Sequence, residues 1–173
     1  MTTRRDFLKT MTMASAGLAL GAGDILANPT FASQRKITDK VKIAYIGIGN
    51  RGEQIIGDFA RTGMVEVVAL CDVDMGAPHT QKVMNLYPKA KRFRDFRQMF
   101  DKAGNEFDAV AIATPDHSHF PISMLALASG KHVYVEKPLA RTFYEGELLM
   151  QAALKRPNLA TQVGNQGHSE ANY

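Results

Sequence analysis

Apolar residues fall in six short runs, and the stretches between them have helical spacing. The first run, 41–46 (VKIAYI), reads as a buried strand and feeds a glycine-rich turn. Residues 53–60 then put Ile55, Ile56, Phe59 and Ala60 on one face of a helix. The second run, 65–71 (VEVVALC), reads as a strand and ends at Asp72. Residues 74–87 read as a helix with Val83, Met84 and Leu86 inward, stopped by Pro88. Residues 91–93 form a short third strand, and Asp95 caps a helix that carries Phe96, Met99 and Phe100. The continuous apolar run 108–113 (DAVAIA) suits a central parallel strand. It stops sharply, because Pro115 drives Thr114 away from helical geometry. A helix over 119–129 is closed by Gly130. Residues 132–135 (HVYV) are a fifth strand, Thr142 caps a helix to about Lys155, and 160–163 are a sixth strand.

Strands alternating with helices imply an α/β fold: a Rossmann-type, doubly wound parallel sheet of six strands with helices on both faces. The expected strand order is 3-2-1-4-5-6, with ligand at the carboxyl ends across the switch point. The polar clusters that carry candidate chemistry follow strand ends, where they can line that crevice.

The turn after the first strand is Gly47-Ile48-Gly49-Asn50-Arg51-Gly52, a G-x-G-x-x-G pattern. Gly47 permits the tight bend, Gly49 lets a pyrophosphate approach the backbone, and Gly52 lets helix and strand pack closely. The helix N-terminus offers free N–H groups and a partial positive charge to phosphates. Asp72 lies 20 positions after Gly52, where a dinucleotide fold places the carboxylate that binds the adenosine ribose. Its charge favours NAD over NADP. The basic run Lys91, Arg92, Arg94 and Arg97 offers a 2′-phosphate site, but such runs are more often solvated faces.

The first 35 residues read as a targeting segment and linker rather than fold. Thr3-Arg4-Arg5-Asp6-Phe7-Leu8-Lys9 resembles the twin-arginine export motif. The apolar stretch 11–23 is too short and too rich in small residues to span a bilayer. Ala27 or Ala32 can precede a cleavage site. The segment implies export in the folded state through the twin-arginine (Tat) translocation machinery to the periplasm, with cofactor loaded beforehand.

The net charge of +4 is modest and the basic residues are scattered, so a nucleic-acid surface is not indicated. The single cysteine, Cys71, cannot form an internal disulfide. His117 and His119 form an H-x-H pair, but no carboxylate or cysteine at suitable spacing completes a metal site. His168 either faces the crevice or is a loop residue.

These pieces carry a family resemblance. GIGNRG, the Cys-Asp at strand two, ATPDHSH after strand four, EKPLA after strand five and QVGNQGHS after strand six resemble the Gfo/Idh/MocA oxidoreductases. The likeness runs from about Lys40 to His168, so 40–168 is the expected dinucleotide-binding domain. It implies that Gly47, Gly49, Asn50, Arg51 and Gly52 hold the pyrophosphate and Asp72 the adenosine ribose. Thr114, Pro115 and His117 border the path from adenine to nicotinamide. Glu136 and Lys137 sit at the nicotinamide ribose, with Lys137 near the reacting carbon as the catalytic candidate, and Asn165 touches the nicotinamide end. A lysine there can stabilise a developing alkoxide during hydride transfer to or from a sugar or cyclitol alcohol. Export-type members of the family include NAD-dependent glycosidases, which share Asn-Arg in the glycine turn and the Asn after strand six, and tend to lack the lysine retained here as Lys137. Members continue into a second α/β domain that supplies the substrate pocket, so residues 169–173 read as the start of a connection to it. The chain is a fragment, a truncated product or a stand-alone dinucleotide module, and a homo-oligomer is compatible with it.

Overall fold

In the computed structural model residues 40–168 are described. The expected export segment and residues 169–173 lie outside the described residues. The elements are β1 (Val41–Ile46), α1 (Arg51–Arg61), β2 (Val65–Cys71), α2 (Pro78–Leu86), β3 (Lys91–Phe93) and α3 (Phe96–Ala103). They continue with β4 (Ala109–Ile112), α4 (His119–Ala128), β5 (His132–Glu136), α5 (Phe143–Leu154) and β6 (Thr161–Gly164). All the strands pair in parallel, in the order β3-β2-β1-β4-β5-β6. The chain therefore reverses its direction of travel across the sheet between β1 and β4, and a crevice opens at the carboxyl ends there.

Alternation along β1 divides the core. Ile43 and Tyr45 face α1 and α2, where Ile55, Ile56, Val83 and Met84 meet Leu70 and Ala111. Ala44 and Ile46 face the opposite layer, where Met99, Phe100, Ile122, Leu127 and Leu149 pack on Ile112, Val133 and Val135. Ile55 and Ile56 are each 2% exposed and stabilise by about 1.5–3 kcal/mol apiece.

The helix starts and stops have local causes. Asp95 accepts from Arg97 N at 2.8 Å to cap α3. Thr142 and Glu145 form a reciprocal capping box on α5. Gly130 closes α4 with φ +71°.

Three details differ from the sequence expectation. The second helix begins at Pro78 rather than residue 74, because Pro78 holds Ala77 extended (φ −65°, ψ 145°) and itself suits a first turn. Leu86 points outward at 63% exposure, since Val83, Met84 and Ala90 already fill the space beneath α2. Ala60 is exposed; Phe59 takes the inner place, with its ring edge-on to Tyr45 and Tyr134. On α5, Phe143, Tyr144, Met150 and Leu154 are exposed.

Candidate dinucleotide site

The glycine turn is built by close approach. Gly47 has φ +80°, and a methyl group on it would lie 2.6 Å from the carbonyl of Ala113. A methyl on Gly52 would collide with the Gly47 carbonyl oxygen. Neither position accepts a side chain while β1, α1 and β4 keep this packing. A methyl on Gly49 would strike the imidazole of His79, the second residue of α2. Asn50 has φ 46° and makes no side-chain cap to α1, and Gly52 N donates to the Gly49 carbonyl at 2.8 Å within the turn. A helix N-terminus without a side-chain cap suits an anion.

Asp72 locks the turn from the next strand. One carboxylate oxygen accepts from Ile48 N and the other from Asp74 N, each at 2.9 Å. Each oxygen retains a further acceptor position. Around these groups lies a cleft of about 710 Å³, lined by Gly47, Gly49, Asn50, Arg51, Asp72, Thr114, Pro115 and His117 among others. Its size falls in the range of cofactor pockets. The Thr114 hydroxyl is buried in its wall with no protein partner, so it has a hydrogen bond to offer a ligand. Donors at a helix N-terminus, an anion beyond them and an unpartnered hydroxyl fit the phosphates and ribose of a dinucleotide.

The remaining expected residues stand at adjoining strand ends and do not line that cleft. Gly52 lies buried beneath the turn. Lys137 and Asn165 are exposed just past β5 and β6. Glu136 is only 4% exposed and is turned inward. One of its oxygens accepts from Arg51 Nε at 3.0 Å and from Gln166 Nε2, and the other accepts from Lys137 N at 3.1 Å. Gln166 Nε2 also donates to the Tyr134 hydroxyl at 3.0 Å. Burial, then the Glu136 carboxylate, pushes the Tyr134 phenol up, against the hydrogen bond from Gln166.

The H-x-H pair is split. His117 is exposed on the cleft rim, whereas His119 is 1% exposed. The two ring nitrogens of His119 face the carbonyls of Pro138 (2.7 Å) and Thr114 (2.8 Å), tying the loops after β4 and β5 together. Among the described residues no group of three His, Cys, Asp or Glu gathers as a metal site would. Burial, then Asp72 and Asp95, pushes the Cys71 thiol up to about 12, so it is neutral and unreactive.

Sequence reasoning missed His79, Tyr134 and Gln166. Period-two alternation places Tyr134 and Glu136 on the same face of β5, a signal that was available. The position of His79 over Gly49 depends on how α2 meets the turn, which no local pattern encodes. Arg94 and Arg97 of the basic run also line the cleft, beside Asp72. Lys91 pairs with Glu106, and Arg92 donates to the Met84 carbonyl.

Comparison with known proteins agrees with this geometry. Two curated relatives are a glycosyl hydrolase family 109 protein 2 of Shewanella sp. (strain ANA-3), 29% identical over 160 residues, and an alpha-N-acetylgalactosaminidase of Shewanella oneidensis, 30% identical over 161 residues. In both, the alignment covers 82% of this chain and 35% of the relative, so the chain spans about a third of their length. The solved structure of scyllo-inositol dehydrogenase from Lactobacillus casei, with bound NAD(H) and scyllo-inositol, superposes with a TM-score of 0.67 at 26% identity. That match covers 77% of this chain and 38% of the dehydrogenase. The sequence model of the Gfo/Idh/MocA oxidoreductase family, NAD-binding Rossmann fold, matches residues 41–164. The chain belongs to that family and is its NAD-binding Rossmann domain.

Proposed function

We propose that this domain serves an exported oxidoreductase that passes hydride between NAD and a secondary alcohol of a sugar or cyclitol. The observation that carries the reading is the common location of the glycine turn, Asp72, Thr114 and Lys137 at the carboxyl ends of one parallel sheet. The inositol dehydrogenase neighbour, bound to NAD(H) and a cyclitol, supports the substrate class. The glycine turn and the N-terminus of α1 hold the pyrophosphate, and Asp72 accepts from the adenosine ribose hydroxyls. Bound NAD supplies the hydride acceptor. Lys137 donates to the alcohol oxygen and stabilises the alkoxide that forms as the hydroxyl proton passes to a base of the second domain, and in the reverse direction the alkoxide that forms as hydride reaches the carbonyl carbon. The rest of the substrate pocket comes from a second domain. The Arg4-Arg5 segment directs export through the twin-arginine (Tat) machinery to the periplasm, and the exposed apolar residues of α5 favour self-association.

A second reading is an NAD-dependent glycosidase that oxidises its sugar transiently and then reduces it again. The names of the Shewanella relatives favour it, as do Asn50-Arg51 and Asn165, whereas Lys137 favours the dehydrogenase. Calorimetry with NAD, together with NADH formation over a panel of sugars and cyclitols, tests the proposal. This chain should bind NAD without turnover, and a protein that includes the second domain should form NADH. Sugar release without net NADH would select the glycosidase. Turnover by residues 1–173 alone would refute the division of labour between domains.

A further inference from the structure

Glu136 occupies the family position expected at the nicotinamide ribose, yet its carboxylate is turned away from solvent and taken by three donors. Arg51 Nε and Gln166 Nε2 reach one oxygen, and Lys137 N reaches the other. A carboxylate offers about four acceptor positions, so little capacity is left for an outside ligand. The fit around this cluster is closed as well. A methyl group on Gly164, the residue paired with Glu136 across the sheet, would lie 2.5 Å from the Tyr134 hydroxyl and 3.0 Å from both Gln166 Nε2 and Glu136 Oε1. Three polar groups thus converge over one α-carbon that has no room for a side chain. The same carboxamide nitrogen serves Tyr134 and Glu136, using both of its hydrogens.

We propose that Gln166 and Glu136 are positioning residues: Gln166 holds Glu136 inward, and Glu136 anchors both Arg51 on the pyrophosphate turn and the backbone of Lys137. This places the charge of Glu136 between the two halves of the cofactor site instead of on the nicotinamide ribose. Arg51 is fixed through Nε to Glu136 and through Nη1 to Gln54 at 2.7 Å, so its guanidinium sits in one orientation above the glycine turn. Lys137 receives its direction from the N–H that Glu136 accepts. The four residues Arg51, Tyr134, Glu136 and Gln166 come from α1, the middle and the carboxyl end of β5, and the turn after β6. The cluster therefore couples phosphate binding to the placement of the lysine. This role deepens the dinucleotide reading and rests on it for its ligand arm alone.

The test has two arms. The first needs no ligand: proton exchange at Arg51 Nε–H, followed by nitrogen-15 NMR on the unmodified chain and on Gln166→Met and Glu136→Gln. The unmodified protein should exchange at least about tenfold more slowly than an exposed arginine, and both variants should lose that protection, the scale of one charge-assisted hydrogen bond. Exchange as fast as that of an exposed arginine in the unmodified chain would overturn the proposal. The second arm compares NAD with ADP, which has the pyrophosphate but lacks the nicotinamide ribose. Glu136→Gln should weaken both ligands by the same factor, about tenfold, and Arg51 Nε–H should stay protected in saturating NAD. Loss of NAD affinity with ADP unaffected, or loss of protection when NAD binds, would put Glu136 on the ribose and overturn it. If neither ligand binds the unmodified chain, the dinucleotide reading fails while the exchange arm still decides the anchor. Circular dichroism checks folding, and Glu136→Gln, which keeps the side-chain shape, stands in if Gln166→Met does not fold.

Discussion

Replacing Asp72 by asparagine probes the choice between NAD and NADP with a nearly isosteric change. The carboxylate accepts from Ile48 N and Asp74 N. Asparagine has one acceptor oxygen, so one of these bonds goes and the other loses its charge. Bonds to charged groups are worth about 1.5–3 kcal/mol, and half-burial puts Asp72 at the lower end, near about 1.5 kcal/mol. For a domain of this size that corresponds to about 4–8 °C in Tm. NAD loses a charge-assisted bond to its adenosine ribose, about 1.4 kcal/mol or tenfold in affinity. NADP gains instead. At about 5 Å in the dielectric of water, a phosphate carrying about −1.5 to −2 is repelled by about 1.5 kcal/mol, and the substitution relieves this. Arg94 and Arg97 line the same cleft and receive the phosphate once the carboxylate is neutral. The NAD to NADP affinity ratio should therefore fall about a hundredfold. Calorimetry with both ligands at one fixed ionic strength measures it, since salt screens the repulsive part. A ratio that moves by less than about twofold, with the Tm lowered as expected, would show that Asp72 braces the turn without facing the ribose.

In a protein that includes the substrate domain, Lys137→Ala should lower kcat about a hundredfold or more while the Tm barely moves, because Lys137 is exposed and binds charge that appears only in the transition state. Near-normal turnover would remove it from the chemistry. The Cys71 thiol is raised from 9.0 to about 12, so the folded state holds this proton more tightly than the unfolded chain. Its contribution to stability is complete below pH 9.0 and is lost as pH rises toward 12, by up to about 1.4 kcal/mol per pH unit. Urea unfolding across that interval should show a steeper decline for the unmodified protein than for Cys71→Ala, and equal slopes would refute the assignment. Changing Arg4 and Arg5 together to lysine should leave the protein in the cytoplasm without altering its circular dichroism. Periplasmic recovery of that variant would count against the twin-arginine reading.

Local pattern was sufficient for the strand and helix sequence, because each apolar run has one period and ends at a proline, glycine or capping residue. It was sufficient for the strand order as well, since short parallel connections with right-handed crossovers leave few topologies open. The glycine turn and Asp72 were legible because their spacing reflects a backbone constraint: a bend, a close approach and a strand end about one βαβ unit apart. Helix orientation at the margins was not. Leu86 and Ala60 fit the helical period but face solvent, because other residues had already filled the volume beneath them. Spacing alone argued against a metal at His117 and His119, but only the fold brings the Thr114 and Pro138 carbonyls to the two ring nitrogens of His119. That Arg51 and Gln166 donate to Glu136, and that Gly164 packs against it, from 85, 30 and 28 positions away in the chain, was not legible. Spacing along the chain encodes what each residue can offer. Which offers are taken depends on which atoms arrive within hydrogen-bonding distance, and only the tertiary structure decides that.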